Sequence, residues 1–349
     1  MVKTLKYACI GAGGIADKKH LNEYSKRECV EIAAICDSNI SAAERMAQKY
    51  NVKNVFTDYN EMFEKLPLDF VSVCTPNYLH APITISALKK GIAVHCEKPL
   101  ALNEKEALEI VDVKNKYKGK VMIGLNNRFT AETAFVKNCI EKGMLGEIYH
   151  AKCGWRRRNG IPGKGVWFTD KKLSGGGALI DLGVHYLDLV MHFMGYPKVV
   201  TVSGATYSKF AGSGNRLRAG YKNIGEGIYD VEDMAIGYLR TEGNATVNFE
   251  FSWASNIEKE VKYYELMGTK GGVSFVNGEI KLYSEIFDTN INILPDMNSS
   301  RNVVNEFDHF IDCIINDKEP DSKPEQGAAL MRIIDAAYKS DEMMREIVL

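Results

Sequence analysis

The stretch Lys6–Ala16, KYACIGAGGIA, joins a short apolar run to a cluster of glycines. The spacing of Gly11, Gly13 and Ala16 matches the pattern G-x-G-x-x-G/A. The first glycine permits a tight turn, the second lets backbone approach a pyrophosphate, and the small third residue lets helix and strand pack closely. The apolar run before the glycines predicts a strand, and the segment after them predicts a helix. The stretch therefore predicts the first strand–helix unit of a dinucleotide-binding domain.

A second apolar strand, Val30–Cys36, ends at Asp37, about twenty residues past the glycines. A carboxylate at this place can accept hydrogen bonds from the adenosine ribose hydroxyls, and it would repel a 2′-phosphate. Ser38 and Asn39 follow it, where an NADP site would favour an arginine. We therefore expect NAD as the cofactor, with NADP as the alternative. The structural alternative for Asp37 is a simple helix cap.

Predicted strands and helices continue to alternate after this point. Phe70–Cys74 reads as a buried strand that runs into Thr75–Asn77, and Ile92–Cys96 runs into Glu97–Pro99. Such alternation predicts a parallel, doubly wound sheet, whose ligands bind at the carboxyl ends of the strands. The residues that we expect to bind the cofactor there are Gly11, Gly13, Gly14, Ile15, Asp37, Thr75, Pro76, Asn77, His80, Glu97, Lys98 and Asn126.

Lys98 stands between a strand end and Pro99, which stiffens the local backbone. Near a bound nicotinamide its ammonium group would polarise a substrate hydroxyl or carbonyl. The alternative is an exposed loop lysine paired with Glu97. Sequence spacing alone does not separate the two interpretations, so both stay open at this point.

The segment Ser174–Phe193, SGGGALIDLGVHYLDLVMHF, predicts a helix, because its apolar residues recur at helical spacing after three glycines. Asp181 and His185 are four residues apart, so they share one face of that helix. A carboxylate can fix the orientation of an imidazole that accepts and releases a proton. The alternative is an ion pair on a packed helix, which the segment taken alone favours.

Three motifs together resemble the Gfo/Idh/MocA family, which includes glucose–fructose oxidoreductase and inositol dehydrogenase. They are the GAGGIA turn, Glu97–Pro99, and the G-x-x-x-D-x-G-x-H pattern of Gly177–His185. The resemblance extends over nearly the whole chain. It implies that Lys98, Asp181 and His185 line a sugar or polyol site and are the catalytic residues.

The resemblance also implies the architecture. An NAD(P)-binding Rossmann domain, residues 1–124, is followed by an α+β substrate-binding and oligomerisation domain with a large, mostly antiparallel sheet, residues 125–349. The peptide bond between Lys98 and Pro99 is expected to be cis. The open face of the second sheet is expected to form homodimers or homotetramers.

Three consecutive arginines follow a predicted strand, Glu147–Trp155, and precede a loop rich in glycine and proline. In a strand Arg156 and Arg158 point to one side and Arg157 to the other. We expect Arg156 or Arg158 to bind substrate, with tryptophans beside the loop stacking on sugar rings. The alternative is a basic sheet edge with its tryptophans in the core. The residues expected to bind substrate are Lys98, Arg128, Arg156, Arg158, Trp167, Asp181 and His185.

The chain beyond the predicted helix has the β-branched and aromatic content of a sheet. Asn277-Gly278 lies between two such segments and is a signal for a type I′ hairpin. Ala211–Gly227, rich in glycine, arginine and asparagine, predicts a loop. These patterns agree with the mostly antiparallel second sheet.

The composition excludes several classes of function. The 349 residues carry a formal net charge of −1, so no global field favours nucleic acid or an anionic membrane. Eight cysteines are scattered singly, without a C-x-x-C pair, which argues against a zinc ribbon or a thioredoxin-type motif and suits reduced core thiols, and we expect no metal ion. No apolar run approaches the length of a membrane span, and no signal-peptide pattern is present. We expect a soluble cytoplasmic protein with no nucleic-acid or membrane partner.

The sequence therefore predicts an NAD(P)-dependent oxidoreductase that transfers a hydride between the nicotinamide and a secondary hydroxyl of a sugar, sugar derivative or cyclic polyol. Two alternatives remain. One is an NAD-dependent, redox-neutral glycosidase of the same family, and the other is a non-catalytic sensor of NAD or sugar. The substrate, its stereochemistry, and the choice between His185 and Lys98 as general base stay open.

Overall fold

The chain divides into two units, each built around its own sheet. The computed structural model describes residues 4–211, 216–220, 222–223, 227–297 and 303–349. The first unit comprises Met1–Gly124 and Asn305–Ala329, and the second comprises Leu125–Val304 and Leu330–Leu349. The predicted ranges also divide the chain after Gly124. They differ in one respect, because Asn305–Ala329 groups with the first unit and not with the second.

The first unit contains a six-stranded sheet. Its strands are β1 (Leu5–Ile10), β2 (Val30–Cys36), β3 (Asn54–Phe56), β4 (Phe70–Val73), β5 (Ala93–Cys96) and β6 (Val121–Ile123). All neighbours are parallel, in the order β3-β2-β1-β4-β5-β6. Strands β4 and β5 are buried at every position, as expected of a parallel sheet covered on both faces. The predicted Rossmann sheet is confirmed.

Helices connect these strands, and polar caps set their starts. They are α1 (Asn22–Tyr24), α2 (Ile40–Tyr50), α3 (Tyr59–Lys65), α4 (His80–Lys89) and α5 (Glu104–Tyr117). The side chains of Asn39, Asp58 and Asn103 accept hydrogen bonds from backbone N–H groups at the starts of α2, α3 and α5. The segment predicted as one helix after the glycines differs, because a π-helical stretch, Ala16–Leu21, precedes α1.

The second unit contains a nine-stranded sheet. Its strands are β7 (Ile148–Arg156), β8 (Val199–Tyr207), β9 (Met234–Thr241), β10 (Thr246–Ser252), β11 (Val261–Gly268), β12 (Gly272–Val276), β13 (Glu279–Ile286), β14 (Thr289–Ile293) and β15 (Ile347–Val348). Their order is β14-β13-β12-β11-β7-β10-β9-β8-β15. Only β7 and β10 pair in parallel. The predicted large, mostly antiparallel sheet is confirmed. Asn277 and Gly278 have φ of 50° and 100°, as their predicted hairpin requires.

One face of this sheet is covered by a largely apolar helix. The remaining α-helices in the described part of the chain are α6 (Ala131–Glu141), α7 (Lys171–Ser174), α8 (Val184–Phe193), α9 (Glu306–Ile315) and α10 (Pro324–Met343). On α8, Tyr186 and Phe193 lie against Phe275 and Tyr264 of the sheet, with ring centroids 6.2 and 5.3 Å apart. The helix therefore lies on the inner face of β11 and β12, which fixes its start relative to the sheet.

Other observations bear on the predicted environment of the chain. Within the described residues, no helix has both the length and the apolar character needed to cross a bilayer. All eight cysteines lie in the described part of the chain and are free thiols. Of the predicted loop Ala211–Gly227, residues 212–215, 221 and 224–226 lie outside the described residues.

Candidate active site

The glycine turn after β1 leaves backbone open at the strand end. Gly11 has a φ of +95°, and a Cβ there would lie 2.5 Å from the carbonyl oxygen of Cys74, so this turn accepts no side chain without strain. Gly13 and Gly14 have no atom within 4 Å of the place where a Cβ would stand. Together with Ile15 they are exposed. The backbone of this turn is therefore accessible to a ligand.

Asp37 holds the glycine turn from the end of β2. Its Oδ2 accepts a hydrogen bond of 2.7 Å from the backbone N–H of Ala12, and its Oδ1 accepts one of 2.8 Å from Asn39. A carboxylate has about four acceptor positions, so these two bonds leave capacity for ribose hydroxyls. The helix-cap alternative does not hold for Asp37, because Asn39 is the N-cap of α2.

The segment after β4 offers one buried hydroxyl and one buried ring. Thr75 Oγ1 is buried and makes no hydrogen bond within the described part of the chain. Pro76 leads into a 3₁₀ turn, Asn77–Leu79. The ring of His80 is buried, with Nδ1 2.6 Å from the carbonyl oxygen of Pro99 and Nε2 2.9 Å from that of Thr75. Both ring nitrogens of His80 thus contact backbone carbonyl oxygens, and a role of His80 in cofactor binding stays a prediction.

Glu97 and Lys98 follow β5, and a cis peptide bond joins Lys98 to Pro99, as the resemblance implies. Glu97 is buried, with Oε1 2.9 Å from Nε2 of His20 and 3.9 Å from Nζ of Lys19. Burial alone would raise the pKa of Glu97, but the hydrogen bond with His20 and the charges of Lys19 and Lys98 hold it well below its usual range. Glu97 is thus an anion enclosed by the first unit. His20 and Lys19 lie outside both the glycine motif and Glu97–Pro99, so no local motif marks them.

These features of the first unit fit a dinucleotide. The exposed glycine backbone suits a pyrophosphate, Asp37 suits a ribose, and the unsatisfied hydroxyl of Thr75 suits a polar group of the ligand. Asn126, the remaining predicted cofactor residue, begins a 3₁₀ turn of the second unit, Asn126–Phe129. Among the described residues, no group of three or more His, Cys, Asp or Glu side chains is arranged to hold a metal ion.

In the second unit, Gly177, the last of the three glycines before α8, is packed against Glu232. A Cβ on Gly177 would lie 1.9 Å from the carbonyl oxygen of Glu232. The carboxylate of Glu232 accepts hydrogen bonds from the N–H groups of Gly177 and Leu179, at 2.9 and 2.8 Å, and from Tyr338 Oη at 3.0 Å. Burial raises the pKa of Glu232, and these bonds oppose the rise. A residue distant in sequence therefore caps the predicted catalytic helix.

Asp181 and His185 lie at the start of that helix, in and just after a π-helical turn, Leu179–Gly183. Asp181 Oδ2 accepts a hydrogen bond of 2.9 Å from Nε1 of Trp253. The imidazole of His185 lies beside the indole of Trp155, with centroids 5.9 Å apart. Both side chains are thus placed by tryptophans from the sheet. Such a framed carboxylate and imidazole can orient a hydroxyl group and move its proton.

Arg157 lies against Trp155, the tryptophan that contacts His185. It is buried, its guanidinium lies 4.2 Å from the ring centroid of Trp155, and its Nε lies 3.6 Å from Glu260 Oε1. Burial lowers the pKa of Arg157, and the charge of Asp181 is the first of the effects that oppose this. Lys262 also approaches Trp155, with Nζ 4.4 Å from its centroid. The positive charge of Arg157 therefore interacts with the negative charge of Asp181.

The other two arginines of the triplet have different partners. Arg156 Nε lies 3.2 Å from Glu250 Oε1, and Arg158 Nη1 donates to the backbone carbonyl of Glu258 at 3.0 Å. The reason is the alternation of β7, which the sequence shows: residue 157 continues the side of Trp155, whereas residues 156 and 158 continue the opposite side. Arg157 is thus the arginine of the triplet that shares Trp155 with His185, and binding of substrate by Arg156 or Arg158 stays a prediction.

Arg128, a predicted substrate residue, is part of the interior. Its Nε and Nη2 donate to both carboxylate oxygens of Asp188, at 2.8 and 2.5 Å, and Nη2 also donates to Tyr196 Oη at 3.1 Å. The side chains of Arg128 and Asp188 are 2% and 1% exposed. Burial alone would lower the pKa of Arg128, but the charge of Asp188 raises it above its ordinary value. The guanidinium is thus bound within the interior, and the substrate role of Arg128 stays a prediction.

Trp167, the last predicted substrate residue, lies in a 3₁₀ turn, Trp167–Thr169. Its ring stacks on that of Phe168, with centroids 3.8 Å apart. One face of the indole is thus occupied by its neighbour. Stacking of Trp167 on a sugar stays a prediction.

Comparison with known proteins agrees with both units. Residues 5–125 match the Gfo/Idh/MocA model described as an oxidoreductase family with an NAD-binding Rossmann fold, and residues 137–349 match its C-terminal alpha/beta domain. The chain is 34% identical over 353 positions to D-glucoside 3-dehydrogenase of Escherichia coli (strain K12), covering 97% of this chain and 95% of that protein. It is 25% identical to inositol 2-dehydrogenase of Rhizobium meliloti (strain 1021), covering 99% of each.

Solved structures show the same fold. Levoglucosan dehydrogenase in complex with NADH and L-sorbose superposes with a TM-score of 0.86 over 99% of each chain, at 21% identity. The family models cover most of the chain, and the first relative is similar over nearly its whole length. The predicted family and the predicted NAD-binding Rossmann domain are confirmed. The chain belongs to the Gfo/Idh/MocA family of NAD-binding oxidoreductases.

Proposed function

We propose that the protein is an NAD-dependent dehydrogenase that oxidises a secondary ring hydroxyl of a sugar, a sugar derivative or a cyclic polyol. The observation that carries the proposal is the placement of Asp181 and His185 at one helix start, beside Trp253 and Trp155. NAD, when bound, accepts the hydride. Similarity to D-glucoside 3-dehydrogenase makes glucosides the first substrates to test.

The residues have distinct roles in this proposal. His185 takes the proton of the reacting hydroxyl as general base. Asp181, an acceptor fixed by Trp253, orients the substrate or the imidazole. The ammonium group of Lys98 stabilises negative charge that develops on the substrate oxygen. Each contribution can be removed separately by a single substitution.

The preference for NAD over NADP is also part of the proposal. Asp37 is an acid at the end of β2, and the exposed residues Ser38 and Asn39 follow it. A carboxylate there accepts hydrogen bonds from ribose hydroxyls and repels a 2′-phosphate. We expect the enzyme to bind NAD more tightly than NADP.

The first experiment offers the protein a panel of glucosides, free sugars, inositols and sugar acids with NAD or NADP, and follows absorbance of the reduced nicotinamide. Reduction with one class of compound supports the dehydrogenase and identifies its cofactor. Release of an aglycone without net NADH would instead support the redox-neutral glycosidase. Tight NAD binding with neither product would support a sensor and contradict the proposal.

Variants then test the assigned residues. His185→Ala and Lys98→Met should each lose most of the turnover and keep their affinity for NADH, measured by calorimetry. His192→Gln, on the same helix seven residues after His185, is the matched control and should keep its turnover. Full turnover in both His185→Ala and Lys98→Met would contradict the assignment.

We also propose that the protein is a cytoplasmic homodimer or homotetramer that assembles through the second sheet. The support is a set of exposed apolar side chains on β9 and β13, namely Ile236, Tyr283 and Ile286, together with eight free thiols. Light scattering coupled to gel filtration would test the assembly. An Ile236→Lys, Tyr283→Lys variant should shift it toward the monomer.

A further inference from the structure

Beneath the loop that carries Lys98, a buried histidine connects two neighbouring strands of the first unit. His20 Nδ1 lies 2.8 Å from Ser72 Oγ of β4, and His20 Nε2 lies 2.9 Å from Oε1 of Glu97, which follows β5. His20 and Ser72 are completely inaccessible to solvent, and Glu97 is 7% exposed. These contacts are therefore fixed by the interior and are not exchanged with water.

Glu97 also contacts the backbone of the next residue, Lys98. Its second oxygen, Oε2, accepts a hydrogen bond of 3.3 Å from the backbone N–H of Lys98. The carboxyl group also lies close to Gly124, since a Cβ added to that glycine would be 3.3 Å from the carboxyl carbon. One carboxylate thus joins the imidazole of His20 to the backbone of Lys98.

The direction of the hydrogen bonds follows from the chemistry of the partners. An ionised carboxylate is only an acceptor, so His20 Nε2 must carry the proton of the bond to Glu97. In the neutral ring, Nδ1 then accepts from the hydroxyl of Ser72. A ring flipped to the other tautomer would place two acceptors against each other at Glu97. The network therefore selects one orientation and one tautomer of His20.

We propose that His20 is a positioning residue, which through Glu97 orders the backbone of Lys98 for the reaction. Its effect on turnover rests on the proposed function, whereas its effect on the Lys98 backbone does not. Side chains that orient a catalytic group from behind commonly change rates without touching the substrate. Neither the glycine motif nor the Glu97–Pro99 motif includes His20.

Two matched substitutions separate this role from general packing. His20→Gln places an amide N–H close to the position of Nε2 and keeps a donor for Glu97. His20→Asn is too short to reach Glu97, although its amide can still meet Ser72. Tyr24→Phe is the control for loosening of the same interior, because it removes only the hydrogen bond of 2.9 Å to His95 Nδ1.

The readouts are hydrogen exchange of the Lys98 amide, by mass spectrometry with residue-level fragmentation, and steady-state kinetics. In His20→Asn we expect Lys98 exchange to accelerate about tenfold, and kcat to fall roughly 10–100-fold with little change in KM. His20→Gln should stay close to the wild type in both, and Tyr24→Phe should not change Lys98 exchange. Altered exchange in a protein that oxidises no sugar would support the positioning role while the proposed function fails.

Two results would overturn the proposal. The first is a rate of Lys98 amide exchange in His20→Asn that equals the rate in the wild type. An acceleration of the same size in Tyr24→Phe would have the same meaning. The second needs no variant to fold, because nitrogen NMR of the wild-type protein labelled at histidine reports the tautomer directly. A His20 ring protonated on Nδ1 alone would have no donor for Glu97, whereas a proton on Nε2 supports the proposal.

Discussion

The indole Nε1 of Trp253 donates a hydrogen bond of 2.9 Å to Oδ2 of Asp181. Trp253 is completely buried directly after β10, and its backbone N–H donates to the carbonyl oxygen of Asp233 at 2.8 Å. Its indole is therefore held rigidly, and it fixes one oxygen of the carboxylate. A donor that cannot move away keeps Asp181 in one orientation toward whatever the second unit binds.

Trp253→Phe should lower turnover, because it removes the hydrogen bond that orients the carboxylate of Asp181. The phenyl ring fills most of the indole site but lacks the N–H group, so Asp181 loses a bond of a type that contributes about 1.5–3 kcal/mol. We expect kcat to fall by roughly tenfold or more, measured with the substrate found in the panel. Trp155→Phe is the comparison, since the hydrogen bond that it loses is to Glu260 and not to Asp181, and a ring remains beside His185. An equal loss in both variants would contradict a specific role for Trp253.

Gly11→Ala and Gly14→Ala should behave differently. The backbone of Gly11 is left-handed, and a methyl group there would lie 2.5 Å from the carbonyl oxygen of Cys74. The conformation alone costs about 1–3 kcal/mol for a non-glycine residue, so we expect Gly11→Ala to lower the unfolding free energy in urea and to weaken NADH binding. A methyl group on Gly14 meets open space. Wild-type stability in Gly11→Ala would contradict this account of the turn.

Arg128 should be needed for folding and not for substrate affinity. Removing one partner of a buried ion pair leaves the other charge uncompensated, at a cost of about 3–5 kcal/mol. We expect Arg128→Met and Asp188→Leu each to be strongly destabilised in urea. The double variant should be less destabilised than the sum of the two, because no unpaired charge remains. A stable Arg128→Met with a raised KM would instead support the substrate role predicted from the sequence.

The cofactor preference should respond to Asp37. Asp37→Asn removes the negative charge and turns one acceptor of a backbone N–H, from Ala12 or Asn39, into a donor. We expect the Kd for NAD to rise about tenfold, which corresponds to about 1.4 kcal/mol, and discrimination against NADP to fall. Adding Ser38→Arg, at an exposed position, should improve NADP binding further. An unchanged NAD-to-NADP ratio would contradict the role of Asp37.

The features that could be predicted from the sequence are those formed by residues close together in the chain. The glycine turn, the acid at Asp37 and the pair of Asp181 and His185 are local patterns, because strand ends and helical turns place residues a fixed distance apart. The sheets follow from periodicity for the same reason. Arg157 could have been found as well, since strand alternation gives it the side of Trp155.

The remaining features depend on contacts between residues that are distant in the chain. Glu232 accepts a hydrogen bond from Leu179, 53 residues away, at the start of the helix, and Trp253 reaches the carboxylate of Asp181 from 72 residues away. Nothing in the local pattern marks either residue, because burial and partner choice are fixed only when the sheet assembles. The ion pair of Arg128 with Asp188 is a further example, since it is visible only in three dimensions.

The buried ring of His95 should make stability depend on pH. Its Nδ1 lies 2.9 Å from Tyr24 Oη and its Nε2 lies 3.2 Å from Glu306 Oε1. Burial lowers the pKa of His95 to about 4, an effect that His20 and Lys19 increase and Glu306 opposes. Because an unfolded histidine has a pKa near 6.5, the unfolded chain binds the proton first as the pH falls.

The sign follows from this order of protonation. Between about pH 6.5 and 4 the unfolded state carries the extra proton. As the pH is lowered through this range, the unfolding free energy should therefore decrease by up to ~3 kcal/mol. Glu306 and Glu97, whose pKa values are lowered in the fold, lose their contributions only below about pH 4.5. His95→Gln cannot titrate, and its stability, measured by urea denaturation from pH 7 to 4.5, should change less than that of the wild type. If the unfolding free energies of the two proteins change with pH in parallel, His95 does not cause the pH dependence in this range.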